Sequence, residues 1–272
     1  MPEIAEVETV RNTLKNMILN KTIKKVNVIY PKMIESNVDE LVSLLPGKSF
    51  KDIKRIGKWL IFDLGSHYLL SHLRMEGKFF VKKHDEEINK HEHIIITFSD
   101  NTDLRYHDTR KFGRMKLIKK EELFKTPEIT KQGIEPISDK LTSKYLYNKI
   151  HSKNIPVKTI LLDQSIVSGL GNIYADEVLF ASHINPLKKG KDITLSDCEN
   201  IKDSAKKIIA EAIKYGGTTI KSYTSSLGVT GRFQQFLMVH KKEGEHCQIC
   251  NTPIVKIKVG GRSTYYCPNC QK

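Results

Sequence analysis

No stretch of the 272-residue chain approaches the roughly 18 to 20 consecutive apolar residues that a bilayer-spanning helix needs, so no membrane partner is expected. The opening segment MPEIAEVETV is too acidic and polar for a secretory signal, which leads to the expectation of a cytoplasmic protein. Cysteine is scarce. Five are present, an awkward number for a secreted disulfide scaffold. Acid is also in deficit, with 31 Asp and Glu against 45 Lys and Arg, a formal charge of +14. That balance weighs against a small neutral substrate and favours a polyanion, with nucleic acid the leading candidate. Internal repeats and low-complexity tracts are absent from the sequence. The 39% hydrophobic content suffices for two modest domains, or for one domain with an appended module.

Ile4, Val7, Val10, Leu14, Met17 and Ile18 recur at helical spacing, which predicts an amphipathic helix over 3–18 with Pro2 at its start. From 22 to 118 the texture changes to short β-rich runs: TIKKVNVIY, KWLIFDL, YLLSHL, KFFVKK, HIIITFS and MKLIKK. Turn-forming pairs separate them, among them Pro46-Gly47, Gly65-Ser66 and Asp100-Asn101. A two-layer β-sandwich or flattened barrel accounts for that pattern. Pro and Gly interrupt TPEITKQGIEPIS, where a linker is expected. Helical periodicity then resumes in LTSKYLYNKIHS, VKTILLDQ, NIYADEVLFAS and LSDCENIKDSAKKIIAEAIKYGG. The expected class is α+β multidomain: a helix plus β-sandwich over 1–130, a helical domain over 131–228 and a cysteine-bearing hairpin over 229–272.

Four cysteines form two C-x-x-C pairs, Cys247/Cys250 and Cys267/Cys270, separated by sixteen residues, which suits one structural zinc held by four thiolates. The intervening IVKIKVGGRSTYY alternates like a hairpin that turns at Gly260-Gly261, leaving Arg262 at or near its tip. So small a module buries too little surface to fold unaided, so the metal is expected to hold it together. Cys198, the cysteine left over, lies in an amphipathic stretch and reads as a small buried hydrophobe. In DQSIVSGLGNIYADE, Gly169 and Gly171 interrupt two helical segments and Asn172 stands where an N-cap belongs. Such a glycine turn frees backbone amides for a phosphate, although a plain cap is compatible with the same residues.

The ordered set PEIAEVE, RIGKW, HLRMEGK, DTRKFGR, LLDQSIVSGLGNIYADE, GGTTIKSY and the cysteine hairpin ending CPNCQK resembles the formamidopyrimidine-DNA glycosylase family from residue 2 to 272. The departure is Ala5, where the family usually shows Pro, which bears on the start of the helix. The resemblance implies an N-terminal catalytic β-sandwich, a helix-two-turn-helix domain and a zinc hairpin, in a monomer acting on duplex DNA that contains oxidised purines. It implies that, once Met1 is removed, the secondary amine of Pro2 is the nucleophile; such an amine has an ordinary pKa not far above neutral. Glu3 corresponds to the general acid at the sugar ring oxygen, Lys58 to the proton donor of β-elimination and Arg262 to that of δ-elimination. Met75 and Phe112 correspond to wedges and Arg110 to the partner of the orphaned cytosine; without the resemblance, Met75 and Phe112 read as core residues. His91, Lys153, Asn172 and Lys158 correspond to backbone contacts. Glu6 is expected to orient the site and Glu8 to be solvated, whereas Glu76 could approach the base or be an ordinary solvated acid. Residues 217–226 correspond to the loop over the everted base. Two other readings stand beside this one: an endonuclease VIII type acting on oxidised pyrimidines, and a non-catalytic zinc-bearing DNA-binding protein.

Overall fold

Residues 1–218 and 231–272 are described in a computed structural model. The chain divides into two units, Met1–Thr130 with Gly216–Gly231, and Lys131–Tyr215 with Arg232–Lys272. In the first unit the apolar stripe of the opening segment forms helix α1 (Ile4–Ile18). The helix starts later than the sequence suggests: Glu3, not Pro2, stands at its N-cap, and the Glu3 amide donates to the Glu6 carboxylate at 2.8 Å. Ala5 therefore leaves an ordinary helix start. Val7, Val10, Leu14 and Ile18 are buried in the main core, each such side chain contributing about 1.5–3 kcal/mol.

After α1 come β1 (Ile23–Val28), α2 (Val38–Leu44), β2 (Asp52–Ile56), β3 (Trp59–Asp63), β4 (His67–His72), β5 (Lys78–Lys83), β6 (Glu92–Phe98), β7 (Thr102–His107), β8 (Arg114–Lys119) and α3 (Pro127–Thr130). The strands form two four-stranded antiparallel sheets, ordered β1-β6-β7-β5 and β2-β3-β4-β8. One core joins Phe62, Leu69 and Leu117 of one sheet to Phe79, Ile96 and Leu104 of the other, as a sandwich requires. The turn residues behave as their types predict: Gly47, Gly65 and Asn101 take φ of 79°, 86° and 60°.

One consequence of this topology positions the site. β4 pairs with β8 up to His72↔Arg114, and β5 pairs with β7 from Lys78↔His107. Beyond the passage from β1 to β2, the chain therefore crosses between the sheets through 73–77 and 108–113, and these two crossings run side by side.

In the second unit the sequence yields α4 (Ser143–Ile150), capped by the Thr142 hydroxyl, then α5 (Val157–Leu161), α6 (Asn172–Ala181) and α7 (Leu195–Lys214), capped by Thr194 and Asp197. Between α5 and α6 the Gln164 amide bonds the Leu162 and Leu170 carbonyls and accepts from the Gly169 amide, lacing the double turn. Gly169 takes φ 94° there. The N-cap of α6 is Gly171, so Asn172 is the first helical residue rather than the cap. β9 (Val255–Val259) and β10 (Arg262–Tyr266) pair antiparallel around Gly260 and Gly261, whose φ of 54° and 77° suit a type I′ hairpin turn.

Candidate functional site

Glu3 and Glu6 are almost fully buried, at 2% and 4% exposure, in a protein whose acids are mostly solvated. One Glu6 oxygen accepts from the Glu3 amide, while the other accepts from the Thr218 amide at 2.7 Å and its hydroxyl at 3.1 Å. Gly217 must be glycine there: its φ is +78°, and a Cβ would fall 2.6 Å from the Glu6 carboxylate. Glu6 thus ties the start of α1 to the segment entering 219–230. The expected loop over the base, 217–226, lies outside the described residues beyond Thr218.

Glu8 departs from expectation. Its carboxylate is not free in solvent but pairs with Arg55 Nε at 2.8 Å and with Arg11. Arg55 also donates to the Gly57 carbonyl at 2.8 Å, so α1 grips the β2–β3 turn that carries Lys58. Lys58 is 5% exposed. His72, opposite Trp59 in the β3–β4 ladder, escaped the sequence reading. Burial first, then the charges of Arg74 and Lys58, drives its pKa down to about 3. The imidazole beside Lys58 is therefore neutral, and its Nδ1 accepts from the Arg74 amide at 3.0 Å.

The paired crossings gather most of the expected interface. Met75 is 40% and Phe112 46% exposed, so neither is a core residue. The Arg110 guanidinium stacks 4.8 Å from the Phe112 ring centroid. The Asp108 carboxylate accepts from the Arg110 and Gly113 amides at 2.9 and 2.8 Å, folding this turn on itself. Glu76 receives a hydrogen bond from the Thr109 hydroxyl, which joins the two crossings. That bond, then Arg110, Lys78 and the N-terminal amine, hold its carboxyl below the usual range. His91 adjoins the same place: its carbonyl accepts from the Asp108 amide at 3.0 Å and its ring lies 5.6 Å from that of His107.

In the second unit, Lys153 is half-buried just beyond α4, while Lys158 contradicts the expected phosphate contact. It is fully buried on α5, with Nζ 2.7 Å from Asp176, 2.7 Å from the Thr264 hydroxyl and 3.1 Å from the Ser263 carbonyl. A cation so enclosed would have to break three contacts to reach a phosphate. The sequence showed only an isolated lysine; its carboxylate partner stands on another helix. His240 completes the cluster, 2.7 Å from Asp176. Glu177 accepts from the amides of Met238, Val239 and His240, although burial pushes its carboxyl up. Asn172 donates to the Ser263 carbonyl at 2.9 Å. Lys158, Asn172 and Asp176 fasten β10 immediately after the exposed Arg262.

The Sγ atoms of Cys247, Cys250, Cys267 and Cys270 all lie within 4.8 Å of one another. Two of the separations are 3.9 and 3.4 Å, against about 3.8 Å between thiolates that share a tetrahedral zinc. The donor set fits the metal. Cys247 and Cys267 also belong to a small core with Phe180, Val239 and Ile254. Chelation of the metal is expected to unfold the hairpin, which circular dichroism and a zinc-release titration would detect together. Cys198 is buried on α7, as expected, and burial pushes its thiol up to about 11. No helix among the described residues is long and apolar enough to cross a membrane.

Three family models match the chain: the formamidopyrimidine-DNA glycosylase N-terminal domain at residues 1–115, its H2TH domain at 132–224, and a zinc finger found in FPG and IleRS at 244–272. A formamidopyrimidine-DNA glycosylase of Bacillus cereus is 44% identical over 273 residues, covering 100% of this chain and 99% of that protein. That of Lactobacillus helveticus is 46% identical over 272 residues, with the same coverage. Among solved structures, the Lactococcus lactis enzyme complexed with DNA containing an abasic site superposes with a TM-score of 0.94 at 39% identity, covering 99% of both chains. MutM in complex with DNA containing carbocyclic 8-oxo-G gives 0.93 at 40% identity, covering 100% of both. The fit of the cysteines and the zinc-finger match agree on one structural zinc ion.

Proposed function

The chain belongs to the formamidopyrimidine-DNA glycosylase family, and we propose that the amine of Pro2 is the nucleophile with which it excises a damaged base and cuts the strand. It is a DNA glycosylase and AP lyase of base-excision repair, acting on oxidised purines in duplex DNA. With Met1 attached, the Pro2 nitrogen is an inert tertiary amide; after its removal the neutral amine attacks C1′ of the damaged nucleotide. Glu3 protonates the sugar ring oxygen as the base leaves and the ring opens. A secondary amine can form only a cationic iminium. That electron sink acidifies the C2′ hydrogen, so the 3′ phosphate leaves by β-elimination with Lys58 as proton donor. Loss of the 5′ phosphate by δ-elimination, with Arg262 as donor, leaves a one-nucleotide gap bearing phosphates at both ends.

The observation that carries this reading is the burial of Glu3 next to Pro2, where its backbone amide donates to a Glu6 carboxylate that also accepts from Thr218. An acid that merely favours a helix N-terminus has no reason to be buried. Met75 and Phe112 fill the gap left by the everted base and Arg110 pairs with the orphaned cytosine, a role their exposure supports. His91, Lys153 and Asn172 contact the backbone. Catalysis is assigned to 1–130, duplex binding to 131–228 and the zinc hairpin to 229–272, a division supported by the matches at 1–115, 132–224 and 244–272. The reaction takes place in the bacterial cytoplasm, at the nucleoid; the bacterial sources of the relatives support this. Release of 8-oxoguanine should exceed release of thymine glycol from otherwise identical duplexes, and an equal or reversed preference would move the substrate to oxidised pyrimidines.

A further inference from the structure

Where the crossings 73–77 and 108–113 meet, the space between them is filled by one side chain that neither supplies. Tyr106 is 1% exposed near the end of β7, in register with Phe79 and Ile94, with its ring 5.1 Å from that of Phe79. Its phenol reaches out of the sheet to both crossings. A Cβ on Gly77 would fall 2.1 Å from the Tyr106 hydroxyl and 2.6 Å from the Leu73 carbonyl. A Cβ on Gly113 would fall 1.7 Å from the hydroxyl and 2.7 Å from Cζ. Neither glycine has positive φ, so at Gly113, where the nearest atoms are all of Tyr106, the phenol and not the backbone requires glycine. A second tie, the Thr109 hydroxyl on Glu76, joins the crossings at the surface.

We propose that Tyr106 is a positioning residue for duplex opening: its phenol, clasped by Gly77 and Gly113, fixes Met75 on one crossing relative to Arg110 and Phe112 on the other. The inference rests on the wedge and cytosine-pairing roles proposed above. A rigid ring rooted between two strands resists displacement, whereas the crossings alone are short turns with Arg74 and Lys111 at φ 52° and 57°. When DNA presses on Met75, the load passes through the phenol to the turn bearing Arg110. The wedge and the reading of the opposite base then move as one body. A tyrosine that served only the sandwich core would be satisfied by phenylalanine.

The test compares single-turnover excision of 8-oxoguanine opposite cytosine and opposite adenine with cleavage of a single-stranded abasic oligonucleotide, which has no stack to open and no partner base. Tyr106→Phe leaves a gap between the crossings, and Gly113→Ala forces them apart. Each should lower excision opposite cytosine by about tenfold or more and shrink the cytosine-over-adenine ratio, with single-strand cleavage changed by less than about twofold. The double variant should lose less than the product of the two, because a phenyl ring gives the alanine methyl more room than a phenol does. Thr109→Val, at the exposed second tie, should move the ratio in the same direction. Equal losses on all three substrates, an unchanged ratio in Tyr106→Phe, or fully multiplicative losses would overturn the assignment. Should Gly113→Ala fail to fold, Tyr106→Phe and Thr109→Val decide it by the ratio. A wild-type protein that forms no borohydride-reducible adduct would instead remove the catalytic reading, and the inference with it.

Discussion

Glu3→Gln is expected to slow release of an oxidised purine by about 10²–10⁴-fold, the range over which a positioned general acid acts. Glutamine preserves the volume and the hydrogen-bonding reach of a side chain that is 2% exposed, so the amide fits where the acid stood. What it cannot do is give a proton to the ring oxygen while the base departs. A pre-formed abasic site has already lost its base, so strand cleavage there should fall much less. Single-turnover rates on the two substrates, measured side by side, check the prediction. Equal losses on both would make Glu3 a residue of the helix start.

Asp176→Ala is expected to cost about 3–5 kcal/mol, since it leaves the Lys158 ammonium buried without its carboxylate. Both side chains are fully buried, and the Thr264 hydroxyl and Ser263 carbonyl cannot replace a charge. At roughly 2–4 °C per kcal/mol for a protein of this size class, the thermal midpoint of the zinc-loaded protein should fall by about 10 °C. The double variant Lys158→Met with Asp176→Leu should recover much of that loss, because removing both charges removes the desolvation cost as well. The pair between Lys206 and Asp139 offers a contrast. Both are largely exposed, at 54% and 92%, so Lys206→Ala should change stability by less than about 1 kcal/mol. A similar fall in the two single variants would mean that burial does not govern these pairs.

The parts of the fold that could be read from the sequence are those whose information is local. The spacing of the cysteines, the Gly260-Gly261 turn and the stripe of α1 each depend on residues near one another, and each is found where expected. β7 is different. TDLRYH conceals a buried strand because Asp103 and Arg105 are charged. Arg105 is fully buried against Asp103 and Glu92 and against the carbonyls of Lys83, Glu86 and Glu87. Apart from Asp103, those partners lie on other segments, so hydropathy alone breaks the alternation that packing restores. The same holds for Lys158, a surface cation by composition and an enclosed one by virtue of Asp176. Glu8 likewise found Arg55 across 47 positions of sequence. Of the site, the exposure of Met75 and Phe112 followed from the family resemblance and not from their hydrophobicity. His72 and Tyr106 carried no signal in spacing; only the register of their strands brings them to Lys58 and to the crossings.

The covalent bond to DNA is expected to form at the second residue of the gene product. Reducing the protein with borohydride on a duplex containing 8-oxoguanine, digesting the adduct and weighing its peptides locates that bond. The expected product is an N-terminal peptide that begins at Pro2 and carries the opened deoxyribose. An adduct on any lysine with the Pro2 peptide unmodified, or active protein whose N-terminal peptide still begins at Met1, would contradict it.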